Sequence, residues 1–145
     1  MRRLVTFSVA LGLILAAVAA GPVSAGSRQP VTMTVTTTFD ESPDAFTATG
    51  IPDCDWGTVY DAGANFAITP ATGVFAGYKV FDCEDSGETG FLVRLNARFG
   101  SGGSVGTWAV LDSWGSLAGM TGAGSLTGDP IENGIIDSFV GSIVL

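Results

Sequence analysis

The chain has no histidine. That removes Ser-His-Asp and Cys-His catalysis, and with them most transition-metal sites. Fourteen carboxylates and one lysine, Lys79, are then the charged groups to weigh for acid–base or nucleophilic chemistry. Two of the carboxylates, Asp112 and Asp137, each interrupt an otherwise apolar run (AVLDSW and GIIDSFV). A carboxyl turned into an apolar interior has its pKa raised by desolvation and can serve as a general acid, so these two are the candidate catalytic residues. The commoner arrangement for each is a strand end or an outward face. Lys79, beside Tyr78, would form a Schiff base only if desolvated, and the ordinary reading is a solvated surface group. Trp56, Tyr60, Trp108, Trp114 and Phe139 are the aromatics that could line a ligand pocket. In a domain of this size such residues more often fill the core.

The elements that must position these groups read as strands. From Phe91 to Phe99 the residues Phe91, Val93, Leu95, Ala97 and Phe99 alternate with Leu92, Arg94, Asn96 and Arg98, a period of two that argues strand rather than helix. A glycine-rich turn at 100–104 leads into Val105–Asp112, with Trp108 and Val110 on one face and Thr107, Ala109 and Leu111 on the other. Val31–Phe39, Ala45–Thr49, Trp56–Ala62, Tyr78–Cys83, Thr121–Thr127 and Gly134–Leu145 bring the count to about eight strands. Their turn signals recur at the spacing of all-β barrels and sandwiches. The stretch Gly63–Gly77, with Pro70 and many small residues, reads as a long connection or an irregular pair of short strands, and Trp114–Met120 as at most one helical turn.

Residues 1–25 carry Arg2 and Arg3, an apolar run from Leu4 to Ala20, and small residues at Val23 and Ala25. This is the pattern of a secretory signal peptide cleaved after Ala25, leaving a single domain over 26–145 and an extracellular location. The exported part keeps four basic residues against all fourteen acids, a net charge of −10. So acidic a domain repels nucleic acid and anionic lipid surfaces, and no later stretch is long or apolar enough to be a membrane helix. Nothing specifies an oligomeric state. Export with an even number of cysteines favours a Cys54–Cys83 disulfide, which would add about 3.5 kcal/mol by loop-closure entropy. That bridge would gather Asp53 and Asp55 with Asp82, Glu84, Asp85 and Glu88. Such oxygen ligands suit calcium, but the D-x-D-x-D-G spacing is missing, and a solvated charged turn is the commoner outcome. No motif calls for a cofactor.

The segment Gly106–Gly128, GTWAVLDSWGSLAGMTGAGSLTG, with the preceding CEDSGETGFLVRLNARF, resembles small secreted actinobacterial proteins similar to the allene oxide cyclase barrel superfamily, which includes the plant dirigent proteins. The resemblance covers about half of the exported chain and departs from the pattern at Trp114 and Leu117. It implies an antiparallel eight-stranded barrel, with a β-sandwich as the alternative fold, and an apolar lumen able to hold a small hydrophobic molecule. It carries over no catalytic residue. The glycines at 106, 115, 119, 122, 124 and 128 read as tight turns and close backbone approach at barrel corners, since no phosphate loop with a following Lys is present. Three functions follow: a non-catalytic barrel binding a small apolar ligand or an extracellular partner, a cyclase or coupling guide with isomerase-like activity, or a structural barrel filled by its own side chains.

Overall fold

The computed structural model describes residues 26–40, 43–68 and 72–145. Residues 1–25, where the sequence predicts a secretory signal peptide, lie outside them. Eight strands follow one another: β1 (Gln29–Thr38), β2 (Asp44–Thr49), β3 (Trp56–Ile68), β4 (Thr72–Cys83), β5 (Gly90–Gly100), β6 (Gly103–Trp114), β7 (Thr121–Ile131) and β8 (Gly134–Val144), with one 3-10 turn at Gly115–Leu117. Each pairs antiparallel with its neighbour, and β1 pairs with β8, so the sheet closes into a barrel in sequence order. Closure leaves no sheet edge exposed and replaces the sandwich alternative.

The period-two pattern decides which residues fill the lumen. Val31, Met33 and Val35 of β1 point in while Thr32, Thr34 and Thr36 face solvent. On β5, Phe91, Val93, Leu95 and Ala97 are buried between exposed Arg94, Asn96 and Arg98. Of the stretch Gly63–Gly77, read as a long connection or an irregular pair of short strands, the described residues are strand: residues 63–68 continue β3 and residues 72–77 begin β4, so the two are parts of long strands. These pair from Gly57↔Cys83 to Ile68↔Gly73 with one register shift between Asp61 and Ala64. Gly63, with a φ of 123°, absorbs that irregularity.

Because the strands alternate in direction, the connections fall at two ends. At one end lie the β2–β3, β4–β5 and β6–β7 connections together with both termini of the barrel. The Cys54–Cys83 disulfide joins the β2–β3 connection to the end of β4. Ile51, Leu117 and Met120 are buried there. Just inside, Phe81 stacks on Phe91 with ring centroids 4.8 Å apart and meets Phe46 and Phe139 edge-on at 5.1 and 5.7 Å. Trp108 packs against Phe139 at 6.4 Å. This half of the lumen is filled; the other is not.

Candidate functional site

Toward the opposite end the inward side chains no longer meet. A cavity of about 570 Å³ occupies this half, walled by Phe75, Leu95, Ala97, Phe99, Leu126 and Ile135, with Phe39 and Ile131 at its mouth. That volume is within the range of small-molecule pockets, roughly 300–1,000 Å³. On one side of the mouth the neighbouring β1–β2 and β7–β8 turns are tied together, where the Phe39 amide donates to the Asn133 carbonyl at 3.1 Å and the Asn133 side-chain amide to Asp40 at 2.6 Å.

Polar groups are set into this apolar wall where it meets the aromatic plug. Lys79 stands two residues before Phe81 on β4, and Asp137 two before Phe139 on β8, so alternation turns both inward. The Lys79 ammonium lies 2.9 Å from Asp61 and 3.5 Å from Asp44, and its side chain is only 11% exposed. Thr37 donates a further hydrogen bond to Asp44 at 2.8 Å. Across the lumen, the Ser104 hydroxyl donates to Asp137 Oδ1 at 3.1 Å. Room for that pair comes from Gly128, which lies opposite both Ser104 and Asp137 in the ladder. A methyl group there would collide with Ser104 Oγ and Asp137 Oδ1. Burial raises the Asp137 pKa above the ordinary carboxylate value, opposed by the Ser104 hydrogen bond and the Lys79 charge and reinforced by Asp44. The arrangement can hold an apolar body against a carboxyl that stays protonated to higher pH than usual.

The two candidate acids therefore part company. Asp137 faces the cavity, against the outward expectation. Asp112 is exposed and accepts a hydrogen bond from the Ser113 amide. A bulge explains why. Val110 pairs with Val93 but Asp112 with Leu92, leaving Leu111 as an extra residue, and one inserted residue reverses the faces that follow. None of the five aromatic candidates lines the cavity. Trp56 and Tyr60 are on the outer face, 53% and 47% exposed. Trp114 rests over Gly90 at the closed end. Trp108 and Phe139 are buried in the plug. Lys79, read as a solvated surface group, is instead buried and ion-paired.

In the acidic turn, Asp82 accepts from the Gly87 amide at 2.8 Å and Asp85 from Thr58 at 3.0 Å, while Glu84 and Glu88 are exposed. Among the described residues no group of three or more His, Cys, Asp or Glu side chains is arranged to hold a metal ion. The wall residues Leu95, Ala97 and Phe99 carried a legible signal in the β5 alternation. Asp44, Asp61, Thr37 and Ser104 did not, since their roles arise from pairings across separate strands. The barrel has the shape that the allene oxide cyclase and dirigent resemblance implies. No protein-family model matches the chain, and no match to it is found among curated proteins or solved structures.

Proposed function

We propose that this chain is an exported β-barrel that takes up one small apolar molecule through the open end of its lumen and performs no chemistry on it. The observation that carries the reading is the half-filled lumen: a cavity of about 570 Å³ with apolar walls behind a mouth rimmed by Phe39 and Ile131. Barrels of eight strands are narrow enough to be filled by side chains or to hold one small ligand, and a filled structural barrel would leave no such space. Export is supported by the signal-peptide pattern of residues 1–25 and by the disulfide, which suits an oxidising compartment. Kinship with the allene oxide cyclase and dirigent barrels rests on the Gly106–Gly128 motif and agrees with the fold.

The test is uptake of a neutral apolar dye, Nile red, by the oxidised protein. One dye should bind per chain with enhanced fluorescence. Ala97→Trp should abolish uptake, because Ala97 lines the cavity and an indole would fill it. Saturable uptake by Ala97→Trp equal to that of the parent would place the dye on the outer surface and sink the reading.

Asp137 favours a second reading, a cyclase or coupling guide that uses a protonated carboxyl beside the ligand. Here Asp137→Asn should eliminate turnover while leaving apolar uptake unchanged.

A further inference from the structure

The charges in the lumen narrow the class of molecule the cavity can take. Its one lysine, Lys79, is already held by two carboxylates, Asp61 at 2.9 Å and Asp44 at 3.5 Å. Among the described residues no free cation in the wall is left for an acidic ligand. Asp137 is placed differently: Ser104 is its one hydrogen-bonding partner among the described residues, and it lines the cavity beside Leu126 and Ile135. Three acids against one base give this end of the lumen a negative balance. An entering carboxylate would meet like charge in a poorly solvated space, whereas an ammonium would meet a carboxylate able to accept its protons.

We propose that the cavity selects apolar amines, the ammonium seating on Asp137 and the hydrocarbon body lying against Leu95, Ala97, Phe99 and Leu126. The inference rests on the apolar-pocket reading above and adds the head group. Burial that makes the Asp137 carboxylate costly when alone makes a cationic partner more effective, since the ligand supplies the counter-charge the fold lacks.

The experiment is titration calorimetry at neutral pH with three probes sharing one ring system: naphthylethylamine, naphthylethanol and naphthylacetate. The amine is expected to bind roughly tenfold to a hundredfold more tightly than the alcohol, the range of a charge-assisted hydrogen bond, and the acetate more weakly than the alcohol. Asp137→Asn should bring the amine to the level of the alcohol. The alcohol's own affinity should be unchanged, which also shows that the variant is folded. Asp112→Asn, an equal change in net charge at the exposed far end, should keep the amine preference. Equal binding of all three probes overturns the head-group inference and leaves the apolar pocket standing. Tightest binding of the acetate overturns it in favour of Lys79 as the anchor. An amine preference that survives Asp137→Asn, or falls equally in Asp112→Asn, removes Asp137 as the seat. Failure of all three probes to bind overturns the pocket reading as well.

Discussion

Lys79 and Asp137 are the residues whose surroundings give them properties that their types alone do not. Lys79 lies among apolar neighbours with Asp44, itself 12% exposed, and the more open Asp61. Removing one partner of a buried pair leaves the other uncompensated, which costs about 3–5 kcal/mol. Lys79→Met is therefore expected to destabilise the barrel by about 3 kcal/mol, near the lower bound because Thr37 still supports Asp44. Asp61→Asn, at a 53% exposed position, should cost less than about 1 kcal/mol. Urea midpoints at constant m-value would measure both, and a larger loss for Asp61→Asn would reverse the assignment of the buried partner. Asp137 yields a pH signature. Its pKa is raised above the ordinary 3.8 in the folded chain, so the folded state binds its proton more tightly than the unfolded state. The stabilisation this contributes is complete below that ordinary value and is lost as pH rises through the folded value. Asp137→Asn cannot titrate, so its stability relative to the parent should increase as pH rises across that window. A difference independent of pH would mean that the carboxyl is solvated. The faces of both residues were open to inspection in the sequence: Lys79 alternates in step with Phe81 and Cys83, and Asp137 with Phe139 and Gly141. Residue-type preferences pointed outward because a charged side chain in a lumen depends on partners from other strands.

At the scale of the strand, period-two alternation made β1, β5 and most of β6 legible, since each carries a contrast between apolar and polar faces. It failed in β3 and β4, where Gly63, Ala64, Gly73, Ala76 and Gly77 blur that contrast and the register shift after Asp61 breaks the period. It also failed after Leu111, where the bulge turns Asp112 outward. Small residues on β7 and β8 have a packing role of their own. Gly124 and Gly141 are paired in the ladder, and the Trp108 indole lies over both. Its Nε1 is buried without a partner among the described residues, and the indole packs directly on the two glycines. A methyl at Gly141 would press on Trp108 and on the Ala123 carbonyl. Gly141→Ala is expected to destabilise by about 1–3 kcal/mol through overpacking. Gly141→Ala combined with Trp108→Leu should show coupling, the pair costing less than the sum of the single changes. Additive losses would show that the alanine is resisted by backbone alone.

Over the whole molecule the two ends of the barrel do different work. The closed end holds the disulfide, the stacked phenylalanines and the buried Ile51, Leu117 and Met120; the open end holds the cavity and its charges. Stability concentrated in one half lets the other keep a void that would otherwise weaken the fold, because an unfilled cavity forfeits both dispersion contacts and apolar burial. The separation makes a prediction that neither end makes alone. Replacing Cys54 and Cys83 together by serine, which opens a bridge spanning 29 positions, should lower stability by about 2–4 kcal/mol. The aromatic plug lies between the bridge and the cavity, so the serine variant should bind Nile red with the parent's affinity wherever it remains folded. Stability from denaturant midpoints and dye affinity measured well below the transition separate the two effects. A dye affinity that falls in proportion to the lost stability would mean that the plug transmits strain from the disulfide to the cavity wall, and that the barrel binds as one unit.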